Sequence, residues 1–368
     1  MNTASSIVRL SRLLAYLSAL PIALISLGAT SAPAITGVDG AIAHGGTVSI
    51  SGSAFGTRSS YNNINATWQS GKFLNFRFKD FEDNKLNSAG FYPQRGGGNW
   101  SPSANELSTR SGGPANSSYY MRRAYSTVES GGISANASGA GNQLYTTFKF
   151  MIESNTQSGK FWRFYADSPQ NNVYLSAGCD STYVRGYSEC SGGSCAPKTE
   201  WGSGPQFKPG QWHRVEILAD APTNTFTVWM DGQVTWTKRD WLASKLGLNG
   251  HTIDYPNMID GPERGCGTNG SYNFDDVFID FTLARVEISD SPTWSGARRK
   301  EVQIPVQWSN NSIDIRINTG TFSTGQAAYL YVVDASGKIN EQGYPITIGK
   351  VSAHSNSSPN PPTSVSVQ

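Results

Sequence analysis

Between Gln206 and Trp236 the chain alternates apolar and polar positions in short runs separated by turn residues. Pro209-Gly210 leads into Trp212 to Leu218, a second turn holds Pro222 and Asn224, and Thr225 to Trp229 follows before Asp231-Gly232 turns the chain again. Runs rich in β-branched and aromatic residues, bounded by Pro, Gly, Asn and Asp, predict an antiparallel hairpin followed by a third strand. Leu144 to Ile152, Lys160 to Ala166, Val173 to Ala177 and the closing SYNFDDVFIDFTLARVEISD carry the same period-two pattern. Beyond the N-terminus no long run has helical spacing, so the expectation is an all-β protein of antiparallel sandwiches.

Composition narrows this reading. A chain of 368 residues with 38% hydrophobic and 11% aromatic residues can bury a substantial core, and 39 glycines with 18 prolines fit many short strands joined by turns. Charged residues make up 15% and the net charge is +2, which argues against nucleic acid or an anionic membrane as partner. Recognition is expected to be local and aromatic. Arg9 and Arg12, the apolar run Leu13 to Leu27 and the small residues ATSAPA have the order of a secretory signal peptide, so residues 1–34 are expected to be removed and the protein secreted. A retained anchor is the competing reading, but the run is short for a span and Pro21 interrupts it, so no stable membrane insertion is expected.

Export gives the cysteines their meaning. Cys179, Cys190, Cys195 and Cys266 are even in number, and in an oxidising compartment they are expected to form two disulfides. Of the three connectivities, Cys190 with Cys195 and Cys179 with Cys266 is favoured, closing one small loop and tying two distant ones. The spacings do not make the paired CxxC of a zinc site.

Ile35 to Arg58 reads as a strand, with Val48 and Ile50 alternating with serines, and then a turn at Gly52, Phe55 and Gly56. This G-x-x-F-G turn resembles the opening of an IPT/TIG domain, a small immunoglobulin-like sandwich. Trp308-Ser309, then Ile313, Ile315 and Ile317, then Tyr329 to Val333 and Tyr344 to Ile348, resemble its later strands. The block between is too large for a loop of such a sandwich. The resemblance implies one domain split into residues 35–67 and 295–350, with a second domain, 68–294, inserted. Separate strands packed on the larger domain are the alternative. The Ser/Asn/Pro-rich residues 351–368 are expected to be disordered.

Within the insert, Gly210, Trp212 and His213 before a strand, Trp229 to Gly232 as W-x-D-G, and Asp275-Asp276-Val277 near the close resemble the concanavalin A-like jelly roll of laminin-G-type modules, lectins and some polysaccharide lyases. That resemblance implies a fold and several sites. A structural calcium would lie between the first and last strands, held by Glu82 and Asp276. A glycan would lie on the open face of a sheet, and strand parity selects its residues. Leu144, Phe148, Phe150 and Ile152 take one side of their strand, leaving Tyr145, Thr147 and Lys149 on the other. The same alternation puts Arg163, Tyr174, Arg214 and Glu216 opposite their apolar neighbours. Tyr145, Lys149, Arg163, Tyr174, Arg214 and Glu216 are thus the expected polysaccharide-binding set, by stacking and bidentate hydrogen bonds. An ordinary solvated face alternates in the same way.

Carbohydrate binding is the leading functional expectation. A polysaccharide lyase is the second, with His251 as base, Tyr255 as acid and Arg163 or Lys149 neutralising a uronate carboxylate. A structural or adhesive extracellular protein is the third. The paired carboxylates of a jelly-roll glycoside hydrolase, a P-loop and a Ser-His-Asp order are all missing from the sequence.

Overall fold

Asp231 and Gly232 make the turn that their dipeptide dictates. The computed structural model describes residues 31–58, 76–88, 91–93, 107–114, 117–124, 132–136, 143–154, 158–168, 171–178, 181–189, 198–239, 252–255, 258–259 and 270–352. In it, Asp231 and Gly232 both have positive φ, 50° and 71°, the backbone that a two-residue type I′ hairpin requires. A Cβ on Gly232 would also come within 2.8 Å of the Ala297 carbonyl oxygen. Gly232→Val is therefore expected to destabilise the protein by about 2 kcal/mol, measured by urea denaturation; a loss within error of zero would refute this.

In chain order the strands are β1 (Ala34–Ala41), β2 (Thr47–Ser53), β3 (Phe76–Lys79), β4 (Phe91–Pro93), β5 (Leu107–Ser111), β6 (Tyr119–Ala124), β7 (Ile133–Asn136) and β8 (Gln143–Ile152). Then come β9 (Ser158–Ser168), β10 (Asn171–Gly178), β11 (Ser181–Glu189), β12 (Lys198–Trp201), β13 (His213–Asp220), β14 (Thr225–Met230), β15 (Gln233–Arg239), β16 (Thr252–Tyr255), β17 (Met258–Ile259) and β18 (Ser271–Asp280). The last are β19 (Arg285–Ser289), β20 (Lys300–Val302), β21 (Ile304–Trp308), β22 (Ser312–Arg316), β23 (Ala327–Val333), β24 (Tyr344–Thr347) and β25 (Val351–Ser352). All the pairings among them are antiparallel.

The larger sandwich packs two eight-stranded sheets. The near sheet runs β15-β14-β13-β8-β18-β6-β5, with β3 beside β18; the far sheet runs β12-β11-β10-β9-β16-β7-β4, with β17 beside β9. Their facing sides share one core. Phe150 stacks on Phe161 across it at 4.6 Å between ring centroids, and Phe148, Phe164, Leu175, Val215 and Phe274 are buried with them. The expected parity holds, since Leu144, Phe148, Phe150 and Ile152 all enter this core.

The smaller, immunoglobulin-like sandwich packs β21-β22-β2-β1-β25 on β20-β19-β23-β24. Chain segments far apart in sequence meet in it: β2 pairs with β22, Ile50 opposite Ile313. Gly52 is required there, because a Cβ would collide with the Ala34 carbonyl oxygen and the Phe55 ring, and Phe55 is fully buried. Two boundaries differ from expectation. β19, allotted to the inserted domain, belongs to the smaller sandwich, where it pairs with β20 and β23 and buries Val286 and Ile288. Val351 and Ser352, allotted to a disordered tail, pair with β1 as β25. Residues Ala32–Gln368 form one compact unit.

Candidate functional site

The six residues expected on one glycan-binding face lie on two different sheets. Tyr145, Lys149, Arg214 and Glu216 belong to β8 and β13 of the near sheet; Arg163 and Tyr174 belong to β9 and β10 of the far sheet. Both sets point away from the shared core, so they occupy opposite surfaces of the sandwich.

The near-sheet set is not an open face. Tyr145, Lys149, Arg214 and Glu216 are only 2%, 6%, 6% and 2% exposed, because the smaller sandwich lies over them. Lys149 Nζ donates to Glu301 at 2.6 Å and Arg214 to Glu287 at 2.9 Å. Lys300 Nζ lies 3.2 Å from Glu216. The Tyr145 hydroxyl donates to Glu216 at 2.9 Å and accepts from Arg214 at 3.2 Å, while Arg285 sits 4.1 Å from the Tyr145 ring centroid. Arg285 also donates to Glu287 at 2.6 Å, and Arg58 pairs with Asp280. An apolar patch of Phe78, Tyr145, Phe278, Val302 and Ile304 adjoins these pairs.

These surroundings set the ionisation of the acids. Burial opposes charge on Glu287, yet Arg214, Arg285 and Lys300 hold its carboxyl far below the usual range. Glu216, likewise opposed by burial, is lowered by Arg214 and Lys300. For Asp276, burial dominates, Glu301 and Asp80 add repulsion, and its carboxyl is pushed up to about 7 despite Lys149. Burial likewise pushes Asp280 to about 6 against the pull of Arg58. This is a desolvated ion-pair junction between sandwiches, a role that alternation alone could not distinguish from a ligand face.

The far sheet carries a different arrangement. Arg163, Tyr174 and Tyr187 are register partners across β9, β10 and β11. The two tyrosine rings stack at 4.7 Å and 18°. Lys160 Nζ lies 4.3 Å from the Tyr174 centroid, and Tyr174 is only 6% exposed. Stacking of a sugar on Tyr174, expected from the sequence, has no ring face to use. The phenols and the cations are the polar groups of this face. Arg163 Nε donates to Asn172 at 3.0 Å, and Arg185 lies 5.8 Å from the Tyr187 ring centroid. Asn172, Tyr174 and Arg185 are buried, while Lys160, Arg163, Tyr183 and Tyr187 are half-buried. The cluster therefore has a recessed floor and a partly open rim. Lys160, Arg185 and Tyr187 were not singled out by sequence reasoning. For Arg185 and Tyr187 the signal was available, since once β11 is paired with β10 their parity matches that of Tyr174; Lys160 reaches this face only through the register shift in β9, where Phe161 and Trp162 both enter the core.

Of the remaining expectations, His251 and all four cysteines lie outside the described residues. Tyr255 lies in β16 opposite Ile133, and its neighbour Asp254 is the register partner of Arg163. His213, expected to pack, is buried, with Nδ1 2.8 Å from Asp231 and Nε2 accepting from the Lys208 amide at 3.2 Å. Glu82 and Asp276, the two residues expected to hold calcium, are held as follows. Glu82 accepts from the Ser117 hydroxyl at 2.9 Å and the Ser118 and Tyr119 amides at 2.7 and 3.2 Å. Asp276 lies within electrostatic reach of Glu301, Lys149 and Asp80. The Ser117 hydroxyl that meets Glu82 also lies 2.6 Å from Asp275, and Asp80 adds repulsion at both Asp275 and Asp276. Among the described residues no group of three or more acidic, His or Cys side chains is placed to hold a metal ion.

The fold defines an all-β protein in which an antiparallel jelly-roll sandwich is joined to a smaller immunoglobulin-like one. No protein-family model matches the chain, and no curated protein does. Solved structures similar to it include the binding domain of botulinum neurotoxin serotype C1, at 9% identity over 70% of this chain and 71% of that one, TM-score 0.38. A Bacillus licheniformis β-glucanase is similar at 15% identity over 57% of this chain and 99% of that one, TM-score 0.40. The binding domain of Paraclostridial Mosquitocidal Protein 1 is similar at 10% identity over 72% and 65%, TM-score 0.39. At these scores the function must be argued from the residues themselves.

Proposed function

We propose that this is a secreted carbohydrate-binding protein whose glycan site is the outer face of β9, β10 and β11, around Lys160, Arg163, Tyr174 and Tyr187. The observation that carries this reading is the register-matched row of guanidinium and two phenols, braced by Lys160 against Tyr174. A sugar polymer presents hydroxyl and ring oxygens, and a row of donors whose rotamers are locked by packing binds them at low entropic cost. The near sheet cannot serve, because the smaller sandwich covers it. Secretion is supported by the arginines and apolar run at the N-terminus, and the smaller sandwich by its IPT/TIG-like turn.

The test is affinity electrophoresis of the full chain through gels containing a panel of neutral and acidic polysaccharides. At least one glycan should retard it, and Arg163→Ala or Tyr187→Ala should weaken that retardation about tenfold, the usual cost of truncating a central contact. Retardation by no glycan would sink the reading and favour a protein partner. The same mixtures read for unsaturated product decide whether binding is accompanied by β-elimination.

A further inference from the structure

One row nearer the start of β9, the outer face of the far sheet holds Lys160, Ser176 and Arg185, which are register partners across β9, β10 and β11. Ser176 is 4% exposed, and its hydroxyl has no hydrogen-bond partner among the described residues. A buried hydroxyl without a partner is costly, and native structures keep few of them. The Ser188 hydroxyl and Trp162 indole N–H are also without partners, but Ser188 pairs with core-facing Val173 and Trp162 lies in the core itself. Ser176 differs because it stands between two cations on the face away from the core. Both cations lean toward the adjacent tyrosine row: the Lys160 ammonium reaches the Tyr174 ring and the Arg185 guanidinium approaches the Tyr187 ring. Ser176 is thus flanked in register by a lysine and an arginine on the face away from the core, each cation set against a tyrosine ring of the adjacent row.

We propose that Lys160, Ser176 and Arg185 form a subsite for a carboxylate carried by the glycan, so that the protein selects uronate-containing polysaccharides. The inference rests on the carbohydrate-binding reading above and specifies its ligand. A carboxylate accepts about four hydrogen bonds and suits a hydroxyl flanked by charged donors, and charge-assisted bonds are about twice as strong as neutral ones. With the Tyr174 ring buried, discrimination falls to these donors rather than to stacking.

The experiment compares binding of the full chain to a uronate polymer, to the same polymer with its carboxylates reduced to alcohols, and to a sulfated polymer lacking carboxylates. The uronate polymer should bind at least tenfold more tightly than either of the others. Ser176→Ala should weaken uronate binding about fivefold, leave binding of the reduced polymer unchanged and keep the melting temperature; Lys160→Gln, which also removes the brace of Tyr174, should weaken both polymers, and the uronate polymer by the larger factor. Equal affinity for the parent and reduced polymers overturns the subsite while the carbohydrate reading stands. Sulfated polymer binding as tightly as uronate overturns the carboxylate assignment. Failure of all three to bind, together with every neutral glycan, removes the carbohydrate reading itself.

Discussion

Glu287→Ala is expected to destabilise the protein by about 3–5 kcal/mol, the range for removing one partner of a buried ion pair. Glu287 is fully buried and accepts from Arg214 at 2.9 Å and from Arg285 at 2.6 Å. Its loss leaves two enclosed guanidiniums, of which Arg214 keeps Glu216 at 3.3 Å. Transferring such charges from water without a counter-charge costs far more than an exposed pair would. Because the residue joins the sandwiches rather than filling either core, the two cores should also unfold less cooperatively. Urea denaturation followed by tryptophan fluorescence and by far-ultraviolet circular dichroism should give coincident transitions for the wild type and separated ones for the variant. A loss below about 1 kcal/mol, with coincident transitions, would show that the junction contributes little. Replacing Glu287, Arg214 and Arg285 together by apolar residues of similar size should cost less than Glu287→Ala alone, since no charge is then stranded.

How much of this was legible in the sequence differs between strand and surface. The hairpin from Trp212 to Trp229, the Asp231-Gly232 turn and the core parity of Leu144, Phe148, Phe150 and Ile152 follow from local rules, and β13, β14 and β8 form where those rules put them. What covers the other side of a strand is not local information. In β19, Val286 and Ile288 alternate with Arg285 and Glu287 as in any half-solvated strand, yet both faces are buried. The mate of Lys149 is Glu301, 152 residues away, and nothing near either residue announces the other. Hence four of the six expected ligand residues prove to be junction residues. Arg163 and Tyr174 remain at a candidate site because their own sheet lies on the opposite surface. Their neighbours Lys160, Arg185 and Tyr187 become visible only when three strands are aligned. The orphaned Ser176 hydroxyl needs coordinates to be seen at all.

The second large effect is a rise in stability on acidification, opposite to the trend that buried ion pairs usually confer. Asp276 and Asp280, pushed up to about 7 and about 6, hold protons in the folded protein at pH values where the unfolded chain, with carboxyls near 3.9, has released them. A carboxyl raised in this way contributes stability that is fully present below its unfolded pKa and is lost as pH rises through its folded pKa. Between pH 8 and pH 5, roughly two units of the Asp276 shift and one unit of the Asp280 shift fall inside the window. At about 1.4 kcal/mol per unit, these two groups should raise stability by a few kcal/mol, on the order of 2–4, on going from pH 8 to pH 5; Asp275, raised well above the usual range by burial and by Asp276, acts in the same sense. The lowered carboxyls act in the other sense: Glu216 and Glu287 contribute stability that is present above about pH 4.3 and lost as pH falls toward their folded values. Maximum stability is thus expected on the acid side of neutrality, near pH 5. Asp276→Asn removes the larger of these two contributions and the repulsion that Asp276 exerts on Asp275. Asn tolerates the positive φ of 49° at this position, carries no charge to repel Glu301, and should make the protein more stable at pH 8 while flattening the rise below it. Urea midpoints measured at one-unit intervals from pH 4 to pH 8 test both statements. A wild-type stability that is flat or increases from pH 5 to pH 8 would show that Asp276 and Asp280 are ionised at the junction without penalty.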